Sequence, residues 1–242
     1  MTVSGAVIAV GNICGAEVFG QDFINATAAI SREIARQIQL REIEEQLQSL
    51  PTVRDRAERL LKGQRGAEWL ERAEQSLRRI CPPRILSALY DRAANRNPTI
   101  EFTRERTKYD PPALMGQSRK YITEHFGTLR GLGALREPSP RVILETRVLS
   151  SLTTYSTQTP GSLIDNKPLL KRFSEWYHKL PIELSTAESR LLDAPLFFET
   201  SNLRQLSHLA RYPNDRQMLG HLIWNDAKGS VQVEGIAQNG TL

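Results

Sequence analysis

DFINATAAISREIARQIQLREIEEQLQSL, residues 22–50, decides the class of fold. Ile30, Ile34 and Ile38 step by four, then Leu40, Ile43, Leu47 and Leu50 step by three and four. Apolar residues at that spacing share one side of an α-helix, so the stretch predicts a long amphipathic helix, or two helices with a change of face near Leu40. The repeat lasts only about two heptads, which suits a helix packed on its own core better than a coiled-coil dimer. Pro51 is expected to end it, because proline has no N–H to give the preceding turn. Thr52 and Asp55 then offer a capping box for a helix running to Lys62 and stopped by Gly63.

Two more helices follow by the same rule. Trp69, Leu70, Ala73, Leu77 and Ile80 line one side of a segment that Cys81-Pro82-Pro83 terminates, with Arg65, Glu68, Arg72, Arg78 and Arg79 mostly elsewhere. Pro83 opens a further helix to Ala94 that buries Ile85, Leu86, Leu89 and Ala93. On the N-terminal side of the bundle, Gly5, Gly11, Gly15 and Gly20 punctuate an apolar opening in which Ala6 to Val10 suits a short strand. No Gly-Lys-Ser/Thr and no complete GxGxxG follows, so a phosphate-cradling loop is not indicated.

Beyond the bundle the pattern changes. Asn97-Pro98 and Asp110-Pro111-Pro112 bracket a segment whose Ile100 and Phe102 alternate with charge, as in one exposed edge strand. The expected organisation is a helical domain over 1–95, a linker or edge strand over 96–112, and an α+β domain over 113–242. The fold class is therefore mainly α with an α+β C-terminal part, in which helices are followed by short β-hairpins.

Two stretches resemble the second half of a winged helix-turn-helix. In the first, Ser118 caps a helix carrying Tyr121, Ile122, His125, Phe126, Leu129 and Leu132, which Gly131 and Gly133 stop. Ala134 to Arg136 and Val142 to Thr146 then form a hairpin across Glu137-Pro-Ser-Pro140. In the second, Asn166 and Pro168 open a helix that buries Leu169, Leu170, Phe173, Trp176 and Tyr177. Ser185 and Glu188 cap a short helix to Asp193. Asn202 caps another through Arg211 that displays Arg204, Gln205, His208 and Arg211, and strands Leu219 to Trp224 and Ser230 to Ile236 flank the turn Asn225–Gly229.

The formal charge of +5 is unevenly placed. Residues 1–50 hold 3 basic and 6 acidic side chains, residues 51–147 hold 20 and 12, and residues 148–242 hold 9 of each, so the excess is central. Of the 32 basic residues 25 are arginine, whose planar fork suits phosphate and stacks on bases. Solvated helix faces give the plainer account of the same charges. Trp69, Tyr90, Phe102, Tyr109, Tyr121 and Phe126 interleave with the excess, and stacking plus charge is how single strands are held. The candidate nucleic-acid contacts are Arg78, Arg79, Arg84, Arg104, Arg106, Lys108, Tyr109, Arg119, Lys120, Arg130, Arg136, Arg141, Arg204 and Arg211.

The catalytic patterns in the sequence are mostly incomplete. His208-Leu-Ala-Arg211, with His221 and Trp224 downstream, has the HxxR spacing that resembles the tyrosine recombinases, yet no tyrosine follows Tyr212 to act as nucleophile. Asp226-Ala-Lys228 has the D-x-K form of a restriction-type magnesium nuclease with Asp215 as the second carboxylate, but it lies where a hairpin turn demands such residues. The four histidines show no ligand spacing, and Cys14 and Cys81 form neither CxxC nor a disulfide framework. No catalytic residue, metal or cofactor is assigned. The apolar run Val3 to Val10 has no preceding basic residue and is too short for a bilayer, so a cytoplasmic chain without a membrane anchor is expected.

Three functions follow as expectations. The first is a non-enzymatic nucleic-acid-binding protein, a regulator or a subunit of a larger nucleoprotein complex, that neutralises phosphates with its arginine-rich centre. The second is a helical adaptor whose Asp22–Leu50 helix packs on partner proteins, and the third is the nuclease.

Overall fold

A computed structural model describes residues 2–3, 6–7, 12–112 and 120–234. The chain is mainly helical, 69% helix against 11% strand, so the strands serve as small ribbons on a helical frame. Among the described residues no helix is long and apolar enough to cross a membrane. The chain divides into two compact units, Met1–Pro51 with Thr153–Tyr177 and Thr52–Leu152 with His178–Leu242.

The first helix, α1, spans Asn12–Lys62 and departs from helical geometry only at Gly20, whose φ of 68° suits a residue without Cβ. It passes through Pro51, where the sequence predicts a stop. A proline forfeits one hydrogen bond of the ladder and strains the preceding turn, but the apolar spacing continues on both sides. In the first unit Ile43 and Leu50 of α1 are buried. A second group there comprises Tyr155 from the end of α5 (Ser150–Tyr155), Leu163 from α6 (Pro160–Asp165) and Phe173 from α7 (Lys167–Phe197). Tyr155 and Phe173 meet edge-on at 5.1 Å, Trp176 tilts against Tyr155 at 5.0 Å, and the Tyr177 hydroxyl lies 3.0 Å from Ser49 Oγ. Thr159 and Ser162 form a reciprocal capping box at the start of α6, and Asn166 Oδ1 accepts from the Leu169 N–H at the start of α7, as its sequence predicts.

The second unit holds α2 (Ala67–Ile80) and α3 (Pro83–Ala94), both where the periodicity places them. They bury Leu70, Ala73 and Leu77, and Ile85, Leu89 and Ala93. From 178 onward α7 continues through Pro181 to Phe197 as one helix rather than stopping at a fresh cap. Leu180, Leu184, Ala187, Leu191 and Ala194 recur at four and three and are all buried, and that single stripe overrides the local capping signal at Ser185 and Glu188.

The first winged stretch is corrected. Residues 121–128 are a strand, β4 (Tyr121–Thr128), paired antiparallel with β3 (Thr99–Glu105), with a register irregularity between Ile100 and Glu101. Tyr-Ile-Thr at its start and Thr128 at its end favour strand, and β3 supplies the partner that a lone strand lacks. The expected hairpin after it is helical too. Leu132–Leu135 is a 3₁₀ turn, and Ser139 with Pro140 starts α4 (Pro140–Val142), which runs on as a π-helical segment Ile143–Leu149 into α5. The Ser139 hydroxyl accepts from the Val142 N–H, so Ser-Pro acts here as cap and first helical residue.

The second stretch keeps its order. Helix α8 (Thr200–Arg204), a 3₁₀ turn Gln205–Leu209 and α9 (Pro213–Gly220) precede an antiparallel hairpin of β5 (Leu222–Asn225) and β6 (Ser230–Val233). The expected single helix from Asn202 through Arg211 is thus broken into short pieces. Asn202 is no cap; it is fully buried inside α8. In the N-terminal stretch β1 (Thr2–Val3) pairs with β2 (Ala6–Val7).

Candidate functional site

Most of the basic side chains singled out in the sequence face a carboxylate. Arg104 is the extreme case. It reaches Asp110 through two bonds of 2.7 Å and Glu124 at 2.9 and 2.5 Å, and Thr107 also donates to Asp110 from its backbone N–H and its hydroxyl. The Arg104 guanidinium, above all, holds the Asp110 carboxyl well below the usual range, and Asp110 with Glu124 raises Arg104 in turn. Arg130 pairs with Glu199 at 2.6 Å and Arg204 with Glu234 at 2.5 Å. Arg84 pairs with Asp215 while lying 3.9 Å over the Tyr212 ring. Arg141 holds both Glu71 and Glu145, and Arg78 takes Glu74 at 3.5 Å and sits 5.0 Å over Tyr90. Burial raises the Glu74 carboxyl against the opposing pull of Arg78.

The others differ. Lys120 approaches Glu105 at 3.5 Å. Arg106 donates to the Pro111 carbonyl and Arg136 Nε to the Ala93 carbonyl at 3.0 Å. Arg79, Lys108 and Arg211 are exposed with no carboxylate within salt-bridge distance among the described residues. Arg119 lies outside the described residues. These pairs fix where the guanidinium groups point, while the central excess of +8 is what remains after the carboxylates of the same region are subtracted.

The β3–β4 ribbon gathers four exposed aromatic side chains, Phe102, Tyr121, Phe126 and, in the connection, Tyr109, which is 84% exposed. Lys108 Nζ lies 5.0 Å from the Tyr109 ring and Lys120 Nζ 5.3 Å from that of Tyr121. Phe126 stacks on His208 at 5.6 Å.

Each member of the nuclease set has a local partner. Asp215 is engaged by Arg84, Asp226 Oδ1 accepts from the Trp224 indole N–H at 2.6 Å, and Lys228 stands in the hairpin turn with its N–H on Asn225 Oδ1 at 3.0 Å. Among the described residues no three His, Cys, Asp or Glu side chains could hold a metal ion together. Cys81 is buried, and burial pushes its thiol up to about 12.

Helix α1 carries an exposed apolar stripe. From 24 to 39 every residue of α1 except Thr27 is exposed, and Ile30, Ile34 and Ile38 are 58%, 55% and 55% exposed. At about 100° per residue these three fall with Thr27 within an arc of roughly 80°. Ile43, Leu47 and Leu50, which turn toward the core of the first unit, lie on the other side of the helix. Asp22, Arg32, Glu33 and Arg36 also lie away from the isoleucines, which have Ser31, Ala35 and Gln37 beside them. The change of face near Leu40 that the sequence shows is thus a change from an uncovered stripe to a covered one.

No protein-family model, no curated protein and no solved structure matches the chain.

Proposed function

We propose that this chain is a non-enzymatic helical adaptor that binds another protein by burying the Ile30, Ile34 and Ile38 face of α1 against a partner helix. One observation carries the reading: about 16 residues of helix, about 24 Å long, stand uncovered while presenting an uncharged isoleucine stripe. A helix of that length is marginal in water by itself, and its five β-branched residues, Ile24, Thr27, Ile30, Ile34 and Ile38, lower its propensity further. A docked helix would remove the stripe from water, and the i, i+4, i+8 spacing is that of helix anchors in a groove. A photo-crosslinking residue tests this when placed at position 34 or, on the charged side, at position 36, in the cells the chain comes from. A discrete adduct at 34 and none at 36 is expected, its mass deciding between a second copy and a different protein. Equal labelling, or none, overturns the reading.

A second reading, nucleic-acid binding, is favoured by the ribbon, where exposed rings carry ammonium groups at Lys108–Tyr109 and Lys120–Tyr121. It predicts complexes with single-stranded DNA or RNA at low salt that weaken steeply as salt is added, and a loss of affinity across sequences when Arg104, Arg106 and Lys108 become alanine. Absence of any low-salt complex removes it.

A further inference from the structure

The second unit carries a surface that neither reading uses. Arg65, Trp69, Pro195, Phe198, Glu199, Thr200, Ser201, Trp224 and Asp226 enclose a cleft of about 340 Å³. Its aromatic wall is built from three elements. Trp69 from α2 and Trp224 from β5 meet at 5.4 Å with their rings at 71°, and Phe198, just past α7, stands 6.0 Å from Trp69 and 5.4 Å from Trp224. Phe198 is buried against both indoles, which are themselves half-buried and line the cleft.

Two features give this wall a charge preference. The Trp224 N–H donates to Asp226 Oδ1 at 2.6 Å, which fixes the ring and draws electron density into its face. The other carboxylate oxygen of Asp226 stands in the exposed turn, whereas Glu199, the second acid of the lining, is already held by Arg130 and Ser201. An electron-rich indole face beside a carboxylate at the cleft's edge attracts a cation and repels an anion. Arg65, the one basic residue of the lining, brings a like charge that opposes such a guest.

We infer that this cleft binds an arginine or lysine side chain presented by a partner protein, with the cation on the Trp69 and Trp224 faces and Asp226 as its counter-ion. The interaction is weak alone, of the size of a desolvated cation–π contact plus an ion pair, and acts as one anchor of a larger interface.

The test follows the indole N–H signals of the full chain by NMR during titration with N-acetyl-arginine amide at millimolar concentration. N-acetyl-citrulline amide, of the same shape without the charge, is the control. Shifts at Trp69 and Trp224 that grow with concentration of the arginine compound alone are expected, while Trp176, in the other unit, stays unmoved. Asp226→Asn is expected to weaken binding by about fivefold and Arg65→Ala to tighten it by about twofold, the ratios one cation contact and one screened charge allow. Both positions are exposed, so folding is preserved. No shift at either indole, an equal response to citrulline amide, or tighter binding in Asp226→Asn overturns the inference. A response shown only by a proline-rich peptide also overturns it and reassigns the cleft.

Discussion

Asn202, fully buried, closes a three-way bridge onto the backbone of Arg130: its Oδ1 accepts from the Arg130 N–H at 2.8 Å, and its Nδ2 donates to the Arg130 carbonyl at 3.1 Å and to the Phe197 carbonyl at 2.9 Å. One side chain thereby satisfies backbone groups from two separate segments that have no ladder partner there. Asn202→Ala leaves them unpaired in a dry site and is expected to lower stability by about 3 kcal/mol, measured by urea unfolding. A loss under about 1 kcal/mol would show that water reaches the bridge.

The two stripes of α1 make opposite demands. Leu50, 2% exposed, is expected to cost about 3 kcal/mol when cut to alanine, because a cavity is left behind. Ile34→Glu should change the stability of the isolated chain by less than about 0.5 kcal/mol, since none of the described residues covers it. It should nonetheless abolish the adduct expected from a crosslinker on the same face, at position 38. Chemical denaturation of both variants beside that assay separates the roles.

The Arg104–Asp110 contact sets a pH dependence whose sign is fixed. The folded carboxyl lies below its unfolded value, so the contact stabilises above the ordinary carboxylate range of about 4 and is lost as pH falls through the lower folded value. The carboxyl carbon signal of Asp110 should therefore titrate well below those of exposed aspartates, and Arg104→Ala should move it up toward their range, the Thr107 bonds still holding it below. The Thr107 amide, which donates to Asp110, should exchange faster with solvent in that variant.

Cys81 should resist thiol reagents at pH 8 in the folded chain, because burial keeps it protonated far above that pH. In a Cys14→Ser background, labelling by a chromogenic disulfide is expected only at the rate of opening, and at once in denaturant. Prompt labelling of the native chain would contradict the burial.

The sequence was most informative where one segment determines its own partner. The apolar steps of 67–80 and 83–94 place α2 and α3, and the β5–β6 hairpin follows from its turn residues. Pairs four apart, such as Arg141 with Glu145, are also legible. Tyr121 to Phe126 misled because their apolar positions satisfy helical spacing as well as a strand's composition, and only β3, some twenty residues earlier, decides between them. The neutralisation of Arg84 by Asp215 and of Arg130 by Glu199 joins distant residues and has no local trace. The aromatic wall of Trp69, Phe198 and Trp224 was hidden for the same reason, although Trp69 was assigned to an apolar side of its helix.

Gly131 and Gly133 press against α7 so closely that a Cβ at Gly131 would meet the Asp193 carbonyl at 2.1 Å and one at Gly133 would meet Asp193 Oδ2 at 1.9 Å. The two segments lie about sixty residues apart along the chain, so this seam closes only after a long loop has been gathered in. On a ribosome it has to wait for α7 to emerge, although the 3₁₀ turn beside it can already rest on α3. The glycine seam is consequently expected among the last joints of the second unit to lock.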